Sequence, residues 1–361
     1  MKTQQVAVPP RLTKGLRPVL SSANRQDSNF FVHPSLIPDN DPHKGRLLRA
    51  AASIEAGTIL LRDTPYAIVP IPVSENGRQS LLCSNLSCSQ RSEVNSSTVK
   101  CAHNCDSDVI WCSPKCHTDD LKRHNYECRW LKHQGQTCRR DEFNYNFITL
   151  WHVVRLLAGW NLELQPGVAA NHRPRNDRFA WGWEAVLQCC HYLDSWPEEQ
   201  LIHWKRLAGT YLMDKECLPS ALNLGEMVAL ICKEETNTFG LYPTATGPLS
   251  VVGQRVSRGE SYGLSLYPRA AMFNHSCEPS VAHAPDTRGC MVYTAARDID
   301  KGEELTITYF DLAARKTVAS RQEHVREQFR FKCTCDRCVE DEAAENLAEL
   351  DALPLDGMAW L

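Results

Sequence analysis

The sequence has no apolar run long enough to span a bilayer, and near its N-terminus none long enough for the core of a signal peptide. It also has no surplus of charge. Lys and Arg number 40 against 43 Asp and Glu, and a formal net charge of -3 gives the whole chain no drive towards nucleic acid or anionic membranes. No internal repeat of fixed period appears, which sets repeat architectures aside. The first 26 residues contain no acid beside Lys2, Arg11, Lys14, Arg17 and Arg25, the charge pattern of a transit peptide. Pro9, Pro10 and Pro18 break the helix such a peptide needs, so the segment reads as an irregular arm. With 361 residues, 43% hydrophobic and 23% charged, the chain suits two globular domains or one with a large insertion.

What is abundant is cysteine. Seventeen are present, an odd number gathered mostly in two places, which does not suit a secreted disulfide framework. Clustered thiols without an export signal point instead to metal in an intracellular chain, in the nucleus and/or the cytoplasm.

Strand-like runs flank a helical middle. Residues 1–42 read as irregular. Arg46 to Ala50, then Ile54, Gly57, Ile59, Leu60 and Leu61, read as two short strands joined by a glycine turn. Phe143, Phe147, Leu150, Trp151, Val154 and Leu157 recur at three- and four-residue steps and predict one helical face. Ser195 with Glu198 predicts a capping box ahead of Leu201, Trp204 and Leu207, whose tryptophan reads as core. Val251-Val252, Met291 to Tyr293 and Leu305 to Thr308 read as strands, 315–329 as a helix, and the acidic tail after Val339 as one short helix.

Between residues 83 and 128 large apolar side chains are too few for a conventional core, and such a segment needs metal to fold. Its ligands come in short-spaced pairs: Cys83 and Cys88, Cys101 and Cys105, Cys112 and Cys116, then His124 and Cys128. Seven thiolates and one imidazole supply two closed, structural tetrahedral zinc sites. His103, His117 and His133 are spare and read as solvent-facing. A second group, Cys333, Cys335 and Cys338, is one ligand short of a closed site, and Cys277 is the best candidate for the fourth.

The run Trp111 to Cys116 followed by His124 and Cys128 resembles the second half of a MYND finger. The run Asn274-His275-Ser276-Cys277 and the strand Glu303 to Tyr309 resemble the signatures of SET methyltransferases. Together they make the chain similar to the SET-and-MYND (SMYD) family of protein-lysine methyltransferases, over roughly residues 43–340. The resemblance implies an α+β chain on the SET-domain β-clip, with a pseudoknot-like crossing, an inserted MYND finger, a helical insertion and a post-SET zinc segment. It divides the chain into an arm (1–42), the first SET part (43–82), the finger (83–128), the helical insertion (129–235), the second SET part (236–312), post-SET (313–340) and an acidic tail (341–361). It pairs Cys83, Cys88, Cys112 and Cys116 on one zinc and Cys101, Cys105, His124 and Cys128 on a second. Cys277 with Cys333, Cys335 and Cys338 would hold the third.

By the same resemblance Tyr309 is the catalytic residue, and S-adenosylmethionine is contacted by Lys44, Arg46, Asn237, Asn274, His275, Tyr309 and Phe331, with Phe329 contributing to the channel wall. The substrate is a lysine of a protein or peptide, and the MYND finger would take a proline-rich peptide. A monomer without membrane contact is expected. The family's Gly-x-Gly turn is Gly45-Arg46-Leu47 here, with leucine at the second glycine. Relatives with a C-terminal helical-repeat domain imply a groove more open in this shorter form. A competing reading is a MYND adaptor on a silent SET scaffold. Another, nucleic-acid binding by the finger, rests on Lys115, Lys122, Arg123, Arg129 and Lys132, which a solvated helix face explains more simply.

Overall fold

The structure, a computed structural model, describes residues 30–165, 178–248 and 258–351. The strands in the first part are β1 (Phe31–Val32), β2 (Leu36–Asp41), β3 (Gly45–Ala50), β4 (Ile59–Asp63), β5 (Ala67–Pro70), β6 (Val73–Glu75), β7 (Arg78–Leu82), β8 (Arg91–Glu93), β9 (Val99–Lys100) and β10 (Ile110–Trp111). Helices follow as α1 (Pro114–Trp130), α2 (Gln136–Asp141), α3 (Asn144–Glu163), α4 (Gly182–Leu187), α5 (Glu198–Tyr211) and α6 (Leu224–Asn237). The chain then returns to strands β11 (Thr238–Leu241), β12 (Gly263–Leu266), β13 (Asn274–His275), β14 (Val281–Pro285), β15 (Met291–Ala295) and β16 (Thr306–Ile307), and closes with α7 (Val318–Phe329) and α8 (Asp336–Asp351).

Small sheets carry the fold: a four-stranded one ordered β1-β4-β15-β14, a three-stranded one ordered β11-β12-β5, and the pair β13-β16. Both principal sheets are antiparallel, and β13 lies parallel to β16. Leu48, Leu60, Leu61, Met291 and Tyr293 fill the sheet core. A second cluster joins α3, α5 and α6 to the cysteine-rich segment, and a third surrounds Cys277, Val325 and Cys333. Among the described residues no helix is long and apolar enough to cross a membrane.

Several expectations change. Residues 31–41 are not irregular: β1 pairs with β4 and β2 with β3. The predicted helical face is α3, but Phe143 is its N-cap and is 85% exposed. No capping box forms at Ser195, because Pro197 caps α5 without a side-chain bond; the box is Asn223 with Glu226 at the start of α6. The acidic tail helix starts earlier, at Asp336, and the strand expected over 305–308 is shorter, Thr306–Ile307, with the Leu305 N–H donating to the Leu48 carbonyl just before it. Val251-Val252 lies outside the described residues, as do residues 1–29 of the arm.

Candidate active site and cysteine clusters

Two segments far apart in sequence meet where Asn274 and His275 pair with Thr306 and Ile307. Just beyond β16, the Tyr309 N–H donates to His275 Nδ1 at 3.2 Å. Burial pushes this imidazole down to about 4, so it is neutral and its Nδ1 can accept. The Tyr309 hydroxyl donates to the Phe273 carbonyl at 2.8 Å. Burial, then the neighbouring Tyr192, Cys190 and Glu304, raises that hydroxyl above its ordinary range and keeps it a donor. Its ring lies 4.9 Å from Phe329 and 6.4 Å from Phe331, centroid to centroid. Tyr309, His275, Phe329 and Phe331 thus share one aromatic-walled site.

Polar groups border it. The turn before β3 is set by Asp41, which accepts from the His43 and Lys44 N–H groups, and by Gly45 at φ +71°, a conformation that favours glycine. The Lys44 ammonium pairs with Glu304 at 2.6 Å, and the same carboxylate accepts from Asn274 Nδ2 at 3.0 Å. Arg46 lies beside Cys189 and Tyr192, and among the described residues no carboxylate pairs with it. Leu47, at the position of the second glycine, is buried at 1% exposure. Asn237 ends α6, and its Nδ2 donates to the Cys190 and Lys233 carbonyls at 2.8 and 2.7 Å. Lys233 donates to the carbonyls of Leu187 and Cys189. Helix α6 therefore fixes the segment that brings Cys190 and Tyr192 to Tyr309.

Sequence reasoning missed Tyr192, Cys190, Glu304, Lys233 and Phe273. Tyr192 sits at φ +47° in an irregular stretch with no periodicity to flag it. Glu304 lay within a motif read for its tyrosine alone.

The cysteine groups converge as three tetrads: Cys83, Cys88, Cys112 and Cys116; Cys101, Cys105, His124 and Cys128; Cys277, Cys333, Cys335 and Cys338. Within each, the four candidate ligand atoms lie within 4.8 Å of one another. Sulfurs at the corners of a tetrahedron with Zn–S of about 2.3 Å stand roughly 3.8 Å apart. Observed separations are 3.7 Å for Cys88–Cys112, 3.6 Å for Cys101–Cys128 and 3.6 Å for Cys277–Cys338, too long for disulfides. His124 turns Nε2 towards Cys101 and Cys105 at 3.2 and 3.7 Å. The donor sets fit zinc.

The basic residues of the finger are not one solvated face: Arg123 is buried, Lys115 pairs with Asp119 at 2.7 Å and Arg129 meets Glu216 at 3.7 Å, while Lys122 and Lys132 are exposed. His117 is not simply solvent-facing, since its ring lies edge-on to Trp111 at 4.5 Å.

The SET domain is matched across residues 45–310, more than half of the chain, and the chain belongs to the SET-domain family. Its relatives include proteins named as histone-lysine N-methyltransferases and one named as SET and MYND domain-containing, in line with the family anticipated from the motifs. Histone-lysine N-methyltransferase ASHR1 of Arabidopsis thaliana is 25% identical, covering 86% of this chain and 56% of its own. Histone-lysine N-methyltransferase SMYD3 of Homo sapiens is 26% identical, covering 84% and 61%. A SET and MYND domain-containing protein of Dictyostelium discoideum is 24% identical, covering 87% and 60%. The chain spans about three fifths of the length of these curated relatives.

Proposed function

We propose that this chain transfers a methyl group from S-adenosylmethionine to the side-chain amine of a protein lysine. The observation that carries the reading is the meeting of Tyr309, His275, Phe329 and Phe331 from three separate segments. S-adenosylmethionine would supply an electrophilic methyl group on a sulfonium. Lys44 and Arg46 offer cations for its carboxylate, Arg46 being the one without an acidic partner among the described residues. Asn274 and His275 border the same place. The amide protons of Asn237 already serve two carbonyls, so its side-chain oxygen is what it has left to offer.

Methyl transfer needs a neutral amine held in line, so positioning dominates. An aromatic wall strips water from the entering ammonium and lowers its pKa. The Tyr309 hydroxyl, anchored on the Phe273 carbonyl, orients the amine, and Phe331 lends a π face to nearby cationic charge.

In this reading the three tetrads hold structural zinc: two in an inserted finger at 83–128, and one pinning a post-SET segment at 313–340 to Cys277. A proline-rich peptide is a candidate partner of the finger, and the chain acts as a monomer. Tyr309→Phe is expected to lower turnover about 10²–10³-fold, the scale for losing one preorganised hydrogen-bonding group. Assayed with tritiated cofactor on a cell lysate, it should spare cofactor binding in calorimetry. Equal losses in turnover and binding would overturn the role of Tyr309, and a wild type that binds no cofactor would point to a silent scaffold.

A further inference from the structure

One carboxylate in α1 has more partners than a salt bridge needs. Glu127 is 0% exposed and receives five hydrogen bonds from four residues. Oε1 accepts from His124 Nδ1 at 3.1 Å, Arg123 Nη1 at 3.2 Å and Arg155 Nη2 at 3.3 Å. Oε2 accepts from Trp151 Nε1 at 2.8 Å and Arg155 Nε at 2.9 Å. Burial would raise this carboxyl, but Arg123 and Arg155 hold it well below the ordinary range.

Its partners lead in two directions. His124, one helical turn earlier, points its other nitrogen into the tetrad with Cys101 and Cys105. With Nδ1–H given to Glu127, the Nε2 lone pair is the one left for an ion. Arg155, from α3, donates to the Ile68 carbonyl in β5. Ile68 pairs with Ser265 in β12, whose other neighbour is β11, the strand after Asn237. Arg123 also donates to the carbonyl of Ser84, next to Cys83, at 2.9 Å.

We propose that Glu127 is an outer-sphere metal residue: it fixes His124 as the neutral ligand tautomer and transmits that ion's stabilisation through Arg155 into the β11-β12-β5 sheet. The proposal rests on the zinc reading of the tetrad. A ligating histidine commonly gives its second N–H to a carboxylate, and losing that partner weakens metal binding about 10–100-fold. The competing role is a neutraliser of two buried guanidinium groups, with no bearing on the metal.

The experiment uses the full-length chain loaded with zinc, its ions counted by mass spectrometry and withdrawn by a graded chelator. Glu127→Gln should weaken one ion about 10–100-fold. The two all-cysteine sites, which have no imidazole to orient, are the internal control. Equal weakening of all three ions, or of none, would overturn the proposal. Repeating Glu127→Gln in a His124→Cys background separates the roles, because a thiolate has no second nitrogen to orient. The metal effect should vanish there, and its persistence would overturn the orienting role. Should the substitution block folding, imidazole NMR of the zinc-loaded wild type with labelled nitrogen decides instead. A proton on His124 Nδ1 protected from exchange is expected, and one on Nε2 would overturn it. A wild type that holds only two ions would overturn the zinc reading and this inference together, a failure visible before any variant is made.

Discussion

In the sheet of β1, β4, β15 and β14 the buried side chains are mainly apolar, with Leu60, Leu61, Val281, Met291 and Tyr293 beside Asp63 and His283, whereas between residues 83 and 128 Val109, Ile110 and Trp111 are outnumbered by Cys83, Cys101, Cys105, Asp120, Arg123, His124 and Glu127. The first set gains by leaving water, at about 25 cal/mol per Å² of apolar surface. The second gains little that way. Asp120 and Arg123 sit 2.7 Å apart and both are buried, yet a buried ion pair seldom repays the loss of hydration by itself. The cysteine-rich segment therefore needs a different source of free energy, which metal held by its tetrads would supply. The comparison teaches that burial and stability separate: both regions are well buried and each buries an ion pair, Asp63 of the sheet with Arg269, but apolar burial accounts for far more of the sheet than of the finger.

Removing metal is the strongest way to break the comparison. Structural zinc is worth an apparent ~10–16 kcal/mol at neutral pH. A chelator should expose residues 83–128 to limited proteolysis, with cuts after Lys115 and Lys122, while amides in β4 and β15 keep their hydrogen-exchange protection. Equal loss of protection in both regions would show that the sheet does not stand on its own apolar core. The converse test deletes apolar volume. Leu61 is fully buried opposite Tyr293, and Leu61→Ala should cost about 2–5 kcal/mol in denaturant unfolding without changing the number of bound ions.

The same contrast explains which parts of the molecule were legible in the sequence. Cysteine spacing is a local signal of ligand supply, and all twelve candidate ligands assemble in the sets expected from it and from the family resemblance. Tyr309 and His275 were legible because each sits in a dense motif. Tyr192 was not, since its approach to Tyr309 depends on Asn237 and Lys233 gripping the carbonyls of 187–190, a tertiary arrangement with no sequence period. The capping box moved for a related reason. Ser195 and Glu198 have the right spacing, but Pro197 takes the cap position, and Asn223 with Glu226 makes the reciprocal pair.

The smallest effect tests whether the finger differs from the helical layer merely by having buried charge. Glu235, near the end of α6, is a carboxyl that no cation pairs with among the described residues. It accepts from Thr149 Oγ1 at 3.1 Å and from the Tyr145 hydroxyl. Burial, then the charge of Glu234, raises it from 4.5 to about 8. Glu127 goes the other way because two guanidinium groups flank it. A carboxyl whose folded pKa lies above its unfolded one takes up a proton on folding, so its penalty grows as pH climbs from about 4.5 to about 8 and is complete above that. Glu235→Gln keeps an acceptor oxygen and removes the titration. Wild type and variant should melt together near pH 4.5, and above about pH 8 the variant should melt higher, by on the order of 2 °C. If the variant melts lower at high pH, the Glu235 carboxylate has a favourable partner when ionised, and buried charge in the helical layer would be managed as it is around Glu127.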